Sequence, residues 1–456
     1  TLLTLVVLPV MIAITVIFRK RARENYRLVR SAISWVNSVL AENINGIRVV
    51  QAFTREGHNY AYFRDQVNHN HQQAVLRAAR VFDGDRLHGD WVVHVAGAAI
   101  VAAGPGASTP TPSGARVVDL PSHTLLPGLI DAHSHVLLHP YDETTWNDQV
   151  LKESEALRVA RAANHLRATL HAGFTTLRDL GTEGAGYADL GLRQALEQGV
   201  LTGPRLLIGS KAIVATGSYG PKGFAAQWQV PQGAEEADGA DGLARAVRSQ
   251  IGNGADWVKV YADYRWGPEG TAQPSFTPEE LRTIVEVAAS SGRRVSAHAT
   301  TAEGMRRSVE AGIRTIEHGD GGTREIFRLM ADRGVALCPT VAVAPAISSY
   351  GGWREGVDPE TPRIRAKRES FRMALEEGVP LCFGGDVGVF AHGEKWLSVL
   401  TAAALRSSPN SMVWLQSWDL PPQNSSTAFR LKAKWPSSWV MVPEFSPWRI
   451  EDRPHC

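Results

Sequence analysis

Six side chains that can bind a metal ion lie within or directly after apolar stretches of the chain, toward the carboxyl ends of predicted β-strands. The first two are His133 and His135, at the end of the sequence LLPGLIDAHSH. Alternate residues of a strand point to the same face, so both imidazole rings can reach one metal ion. The other four, in chain order, are Lys259, His298, His318 and Asp386. One such histidine would be typical of a protein core, but six such residues in this arrangement predict a functional site.

Lys259 lies inside the apolar stretch ADWVKVY, where an unpaired ammonium group is costly. Burial lowers the pKa of a lysine, and the neutral amine can then be chemically modified. The alternative is a lysine whose side chain extends to water at the end of the strand.

Strands and helices alternate in the sequence that separates these residues. Thr277-Pro278-Glu279-Glu280 forms a capping box with proline at the first helical position, so a helix is expected over the following residues, LRTIVEVAAS. Gly292 should end that helix, and RRVSAHA is expected to be the next strand. Repeated alternation of this kind predicts a parallel sheet covered by helices.

The predicted architecture is an α/β barrel of eight parallel strands, the (β/α)8 or TIM-type barrel. Catalytic side chains gather at the carboxyl ends of the strands in such a barrel, which is where all six residues are expected. The stretch from Asp131 to Asp386 is 256 residues long, and about 250 is typical of this fold. Before it, residues 74–126 contain short predicted strands separated by glycine and proline turns.

The order His-x-His, Lys, His, His, Asp resembles that of the amidohydrolase superfamily. The segments LPGLIDAHSH, HAGFTTLRDLG and SAHATTAEG are similar to its imidazolonepropionase-like branch, and within that branch to Xaa-Pro dipeptidases (prolidases) and N-acyl amino acid hydrolases. The resemblance covers residues 74–394. It implies a hydrolase barrel over residues 127–394 and a small β-sandwich, of which residues 74–126 would be the N-terminal half.

The resemblance also implies a centre of two divalent metal ions, usually zinc, with manganese or cobalt as alternatives. The ligands implied for the first ion are His133, His135, Lys259 and Asp386. Those implied for the second are Lys259, His298 and His318. Lys259 would bridge the two as a carbamate, because CO2 converts its amine into a carboxylate-like ligand. Water activated by the ions would attack a carbonyl carbon, with Asp386 as catalytic base and acid, and an amide or peptide C–N bond would break.

Three further residues are candidates for substrate binding. Tyr261 would point to the same side of its strand as Lys259. In related dipeptidases a tyrosine at this place contacts the substrate carboxylate, and the alternative is packing between barrel and helices. Tyr219, in the stretch ATGSYGPKGF, is expected on an active-site loop or an ordinary turn. Arg178, at the end of a strand in TTLRDLG, would line the site or form a structural ion pair.

The expected substrate is a small amide, either a dipeptide of the Xaa-Pro type or an N-acyl amino acid. A mononuclear deaminase of the same superfamily is an alternative. Such deaminases usually lack the bridging lysine and have glutamate three residues after the third histidine, where this chain has Thr301. A catalytically inactive metal-binding protein is a further alternative. The net charge of +2 gives no general attraction to nucleic acid.

Residues 1–73 differ in character from the rest of the chain. Residues 2–18 are 17 uncharged positions, the lower limit for a membrane span, and Arg19 begins a basic flank; the alternative is a buried helix. The stretch Ala41–Asn68 resembles the membrane domain of ABC exporters, so residues 1–73 are expected to be a helical, partly transmembrane fragment of such a domain. No GxxxxGK[ST] phosphate loop occurs, which excludes an ATP site of that type. The hydrolase part is expected in the cytoplasm, and at the membrane if residues 2–18 insert.

The tail, residues 395–456, contains six of the 13 tryptophans and shows no helical or strand period. We expect this tail to be out of frame, which would leave the β-sandwich incomplete. An alternative interpretation of the whole chain is a transport fragment fused to an inactive barrel. Three cysteines are too few for a disulfide framework, so Cys338 and Cys382 are expected to be buried thiols.

Overall fold

The computed structural model describes residues 73–393, apart from Asp85, Ala98 and Ala226, and the backbone of one strand further on, Trp439–Val442. The chain divides into two compact units, the first made of Thr1–Gln73 with Gly114–Arg116 and the second of Ala74–Ser113 with Val117–Cys456. The predicted exporter-like segment and its apolar run therefore lie outside the described residues. None of the described helices is both long and apolar enough to cross a bilayer.

The small sheet that follows the first unit has six strands in the order β17-β5-β1-β3-β4, with β2 paired to β1. The strands are β1 Ala74–Phe82, β2 Leu87–His88, β3 Trp91–Ala96, β4 Ala99–Pro105, β5 Arg116–Pro127 and β17 Trp439–Val442. Val81, Val93 and Leu125 pack together in its core. The strand β17 runs parallel to β5 and comes from the tail. The composition of the tail gave no sign of this strand, because four residues are too few to show a period.

Nine more strands carry the residues of interest. A three-stranded parallel sheet contains β6 Leu129–Ser134, β7 Phe174–Asp179 and β8 Arg205–Ile208. A six-stranded parallel sheet has the order β10-β9-β11-β14-β15-β16. Its members are β9 Ile213–Val214, β10 Glu235–Glu236, β11 Trp257–Tyr261, β14 Arg294–Ala299, β15 Thr315–His318 and β16 Ala336–Cys338. Two short strands, β12 Asp263–Arg265 and β13 Ala272–Pro274, form an antiparallel hairpin after β11.

Single bridges extend both parallel sheets to the same stretch of chain. Leu337 of β16 pairs with Leu381, and Ser134 of β6 pairs with Val387. Both bridges are parallel, as are the ladders on either side. The last segment of the fold, residues 381–387, thus connects the free edge of β16 to that of β6. Asp386 is in this segment.

Nine described helices accompany these strands. They are α1 Trp146–Lys152, α2 Glu155–His171, α3 Ala188–Glu197, α4 Gly239–Gly252, α5 Pro278–Ala289, α6 Ala302–Ala311, α7 Arg324–Arg333, α8 Val343–Tyr350 and α9 Pro362–Glu376. The capping box predicted at Thr277 is confirmed, because its side chain accepts from the Glu280 N–H while Glu280 accepts from the Thr277 N–H. The helix ends near the predicted Gly292, and the predicted strand RRVSAHA is β14.

Two buried apolar clusters fill the space between strands and helices. The larger includes Val258, Val260 and Ile316 from the six-stranded sheet with Leu281 and Ile284 of α5. The smaller joins β6, β7 and β8 to α2 and α3. These clusters cover the face of each sheet that packs against helices. The polar residues near the strand ends lie on the other face of the sheets.

Cys338 and Cys382 form a disulfide, with Cα atoms 4.9 Å apart. The prediction of two separate buried thiols is therefore wrong, although both residues are buried as expected. The count of cysteines excluded a framework of several disulfides but could not exclude one bond. The pairing depends on the bridge between β16 and residue 381, a contact between segments distant in the sequence.

Candidate metal centre

His133, His135 and Asp386 form the one cluster of three or more potential metal ligands among the residues that the structure describes. The Nε2 atoms of His133 and His135 lie 3.4 and 3.3 Å from the same oxygen, Oδ1 of Asp386. Two ligands at about 2.1 Å from one zinc ion, at tetrahedral angles, lie roughly 3.4 Å apart. The three donors are therefore spaced as ligands of a shared ion would be.

His298 and His318 extend this cluster on one side. Their ring centres are 4.5 Å apart, and the ring of His318 is 5.0 Å from that of His133. Nδ1 of His318 contacts Thr340 Oγ1 at 2.8 Å, which leaves Nε2 for an ion. Both His318 and Asp386 have left-handed backbone conformations, with φ of 74° and 56°. Such strain in non-glycine residues is typical of functional sites.

Lys259, in the middle of β11, is 1% exposed. Burial lowers the pKa of its amine to about 8, while the nearby carboxylates of Glu317 and Asp386 act in the opposite direction. A substantial fraction of neutral amine near neutral pH is what reaction with CO2 requires. Burial, and then the Lys259 charge, also lower the pKa values of His133 and His298 well below 6.5. Neutral imidazoles are the form that binds metal ions.

Burial would lower the pKa of His135 as well, but its hydrogen bond and charge interaction with Asp386 raise it to about 9. Its Nδ1 lies 3.0 Å from the carbonyl oxygen of Gly181, which fixes the ring so that Nε2 faces Asp386.

Glu317 contacts the cluster through the ring of His133. Its Oε2 accepts from Nδ1 of His133 at 2.8 Å, which directs Nε2 of that ring toward Asp386. Its Oε1 accepts from Arg178 at 2.9 Å and from Ser296 at 2.7 Å. Sequence reasoning missed Glu317, which is fully buried in the structure; the one sign in the sequence was its place next to His318 in the strand sequence TIEH.

Arg178 is buried next to Glu317 and contacts several other buried groups. Its Nε donates to the carbonyl of Ala132 at 2.6 Å, and its guanidinium lies 4.4 Å from the centre of the Trp257 ring. The ion pair with Glu317 matches the structural alternative weighed for this residue. These contacts favour a supporting role for Arg178 over the substrate contact predicted from the sequence.

Tyr219 and Tyr261 line the side of the cluster next to His298. Their ring centres are 4.8 Å apart, and the Tyr261 ring stacks on His298 at 4.7 Å. Both hydroxyl groups donate to the carboxylate of Glu183, a buried residue of a glycine-rich loop after β7. Nothing in the sequence distinguished Glu183 from an exposed loop glutamate, so this residue was not predicted.

Two different parts of the chain are similar in sequence to two unrelated families of proteins. The profile of the Amidohydrolase family matches residues 124–415, and that of the ABC transporter transmembrane region matches residues 1–81. Both resemblances predicted from the sequence are therefore confirmed. An uncharacterized ABC transporter ATP-binding protein of Bacillus subtilis is 44% identical over 80 residues, 18% of this chain and 13% of that protein.

Relatives of the larger part include hydrolases with solved structures. An ochratoxinase of Aspergillus niger is 31% identical over 288 residues, which cover 58% of this chain and 58% of the ochratoxinase. The chain thus spans less than two thirds of that relative. The crystal structure of a Xaa-Pro dipeptidase with bound methionine in its active site superimposes with a TM-score of 0.65 at 27% identity, over 75% of this chain and 87% of the dipeptidase.

Proposed function

The chain belongs to the amidohydrolase family, and from this premise we propose that it is a metal-dependent hydrolase that cleaves an amide or peptide C–N bond. The observation that carries the proposal is the spacing of His133, His135 and Asp386 around one shared position. The similarity to a Xaa-Pro dipeptidase and to an ochratoxinase supports a small substrate such as an Xaa-Pro dipeptide or an N-acyl amino acid.

The donor set fits two divalent ions of the zinc type. The proposed ligands of the first ion are His133, His135, Asp386 and a carbamate on Lys259. Those of the second are the same carbamate, His298 and His318. Imidazole nitrogens with few carboxylate oxygens favour zinc over magnesium or calcium. The low pKa of buried Lys259 supports the carbamate, because only the neutral amine adds CO2.

Each residue of the proposed site has its own role in the reaction. Ions held by these residues would supply the acidity that ionises a water molecule and the positive charge that polarises the carbonyl of the substrate. Asp386 accepts a proton from that water and passes it to the departing nitrogen, as catalytic base and then acid. Glu317 and the Gly181 carbonyl hold the two rings that flank Asp386. Tyr219 and Tyr261 are the proposed substrate-binding side chains.

A closed (β/α)8 barrel is the proposed architecture of residues 127–394. All strand pairs within the three-stranded and the six-stranded sheet are parallel. The bridges at Leu381 and Val387 support closure between β16 and β6. Next to β8, the N–H of Asp256, the residue before β11, donates to the carbonyl oxygen of Ile208 at 2.8 Å. Residues 74–126 are proposed to be the N-terminal half of a small β-sandwich.

Metal analysis of the purified chain with a Lys259→Ala variant tests the proposal. We expect about two zinc-type ions per wild-type chain and hydrolysis of at least one Xaa-Pro dipeptide or N-acyl amino acid. Lys259→Ala should bind at most one ion and should lose the turnover, since it removes the ligand proposed for both ions. The matched control is Lys152→Ala, on the exposed ion pair with Asp148, which should change neither. Full metal content and turnover in Lys259→Ala would contradict the proposed site.

Residues 1–73 are proposed to be a fragment of an ABC-exporter membrane domain that attaches the hydrolase to a membrane, with the hydrolase part in the cytoplasm. The profile match over residues 1–81 supports this proposal. Fractionation of cells that express the full chain tests it. The chain should remain with membranes after a carbonate wash, and complete release by that wash would contradict insertion of residues 2–18.

A further inference from the structure

Lys367 is a buried lysine of α9 that contacts the chain just after two neighbouring strands, β15 and β16. The residue is 5% exposed. Its Nζ atom donates to the carbonyl oxygens of Pro339 at 2.8 Å and of His318 at 3.0 Å, and it forms an ion pair with Asp320. An ammonium group has three protons to donate, and these three acceptors use all of them. A buried charge with a complete set of partners is held in one position.

The acceptors of Lys367 lie in the turns that follow the two strands. His318 is the last residue of β15, and Pro339 directly follows β16. Ser370 is also buried and lies one helical turn further along α9, on the same face of the helix. Its hydroxyl donates to the carbonyl oxygen of Gly319. The turn after β15 is therefore bonded to α9 through three successive residues.

The turn after β15 has a backbone conformation that needs such support. The backbone φ is 74° at His318 and 65° at Gly319, and Thr340 of the neighbouring turn has a φ of 45°. Left-handed conformations are unfavourable for residues other than glycine, and they persist where the surrounding contacts over-determine them. The hydrogen bonds from Lys367 and Ser370 to this turn are contacts of that kind.

The two turns together determine the direction of the His318 ring. Nδ1 of the ring contacts Oγ1 of Thr340 at 2.8 Å, so the ring depends on how the turn after β15 lies relative to the turn after β16. Lys367 is bonded to the main chain of His318 itself and to that of Pro339, the residue before Thr340. It therefore fixes the main chain on both sides of the contact that leaves Nε2 of His318 for an ion.

The ion pair with Asp320 matters for a site that holds cations. Because Asp320 matches the charge of Lys367, the lysine holds both turns without adding an unpaired positive charge beside the ions. An apolar side chain at this position would leave the oxygens of both turns, and the carboxylate, without this donor. An ammonium group therefore suits the position, since one atom serves three acceptors.

We propose that Lys367 is a positioning residue for the second metal ion: it fixes the turn after β15, so that Nε2 of His318 is directed at the ion that His298 also binds. This inference rests on the proposed hydrolase function and deepens it. The ligands that belong only to the first ion lie on or directly after β6 and in residues 381–387. The first ion should therefore depend on Lys367 much less than the second.

Calorimetric titration of the chelator-treated full chain with zinc, in the presence of bicarbonate, tests the proposal. Lys367→Met keeps an unbranched side chain and removes the donors. The wild-type chain should bind two ions. Lys367→Met should bind the first with an unchanged Kd and the second about 10–100-fold more weakly, the usual effect of losing a group that orients a ligand. The control Leu281→Ala, in the core next to α5, should lower stability without changing the ratio of the two Kd values.

Hydrogen exchange of the metal-free chain measures the order of the turn itself. The N–H groups of Gly319 and Gly321 donate to the carbonyl oxygens of Ala299 and Thr300 at 3.0 and 2.8 Å. Their protection reports whether the turn after β15 is formed. By mass spectrometry, peptides that cover residues 318–322 should exchange faster in the lysine variant than in the wild-type chain, and the control variant should keep the wild-type rate.

A second variant keeps the proposal testable if Lys367→Met does not fold. Ser370→Ala removes the neighbouring donor to the same turn, so it should weaken the second ion and speed the exchange, both to a smaller extent. An unchanged Kd of the second ion in whichever variant folds would overturn the role of Lys367. Equal weakening of both ions, or unchanged exchange in residues 318–322, would overturn it as well.

Failure of the proposed function has a different signature. A wild-type chain that binds no zinc would count against the metal-dependent hydrolase. The exchange measurement needs no metal, and it would still decide whether Lys367 fixes the turn that carries His318.

Discussion

Buried carboxylates surround the candidate centre, and each has a different environment. Glu317 accepts from Arg178, Ser296 and Thr315, so its charge is matched by several donors. Asp179, at the end of β7, accepts from the Val136 N–H through Oδ1. Its Oδ2 is buried without a hydrogen-bond partner. Burial, and then repulsion from Asp189, raise the pKa of Asp179 to about 8.

Asp179→Asn should remove part of the pH dependence of stability. The native pKa of about 8 exceeds the ordinary value of 3.8, so the native state holds a proton that the unfolded chain has released between these values. The resulting stabilisation is complete below about pH 4 and is lost as pH rises through 8. For one proton the slope reaches about 1.4 kcal/mol per pH unit.

Urea unfolding of the chelator-treated chain between pH 5 and 8 measures this effect. The free energy of unfolding should fall more steeply with pH for the wild-type chain than for Asp179→Asn, whose amide mimics the protonated acid. Asp142→Asn, at an exposed position, is the control and should follow the wild-type curve. Parallel curves for the wild type and Asp179→Asn would show that Asp179 is already ionised in the folded chain.

Residues at the ends of strands were the part of the site most accessible to sequence reasoning. His133, His298 and His318 each end an apolar run, and the structure brings their rings within 5.0 Å of a neighbour. Glu183 and Glu317 were not predicted, because their importance depends on which side chains approach them across the fold. A buried carboxylate and an exposed one look the same in one sequence.

At the scale of elements, the segment of residues 381–387 is bound to both of its neighbours by main-chain hydrogen bonds, among them Asp386 N–H to the His133 carbonyl at 2.7 Å and Cys382 N–H to the Leu337 carbonyl at 3.0 Å. Residues 381–387 form single bridges to β16 and β6 and carry Asp386. The approach to β6 is close: a Cβ atom at Gly384 would lie 2.8 Å from the Cβ of His133. The disulfide between Cys338 and Cys382 adds a covalent connection at the start of this segment.

We expect Cys382→Ser to lower the free energy of unfolding by about 2–4 kcal/mol under oxidising conditions, the usual range for loss of one disulfide. The bond closes a loop of 44 residues, which restricts the unfolded chain. Urea unfolding with and without reductant measures it, and reduction should bring the wild-type chain to the level of the variant. Cys456→Ser, which keeps the bonded pair, is the control.

A count of free thiols in the denatured, unreduced chain checks the same bond directly. The denatured, unreduced chain should show one free thiol, that of Cys456, out of the three cysteines in the sequence. Three free thiols would contradict the disulfide and would leave the segment that carries Asp386 held by its hydrogen bonds to β6 and β16 and by packing.

Local elements were predictable where the chain carries its own start and stop signals. The capping box at Thr277 and the glycine at position 312, whose φ is 92°, define α5 and the end of α6 from neighbouring residues alone. The pairing of β16 with residue 381 and of β5 with β17 could not be predicted in the same way. Those pairings join segments far apart in the sequence, and short strands have no periodic pattern to reveal them.

At the scale of the whole molecule, metal binding and folding should be linked. The proposed ligands come from β6, β11, β14, β15 and the segment that carries Asp386, so they span more than 250 residues from His133 to Asp386. An ion whose ligands are this far apart in the sequence binds only the folded chain. A ligand of this kind stabilises the folded state by about 2.7 kcal/mol when its free concentration is 100 times its Kd.

Zinc should therefore raise the midpoint of thermal unfolding of the chelator-treated chain in a concentration-dependent manner, and chelator should reverse the shift. The effect should weaken as pH falls below about 9, because protons compete with the ion for His135, whose pKa the hydrogen bond and charge of Asp386 raise to about 9. Lys259→Ala should retain a smaller shift, since His133, His135 and Asp386 remain as ligands of one ion. A midpoint that zinc does not move would mean that these strand ends, although adjacent, do not act as one site, and the hydrolase mechanism would then have no centre in this chain.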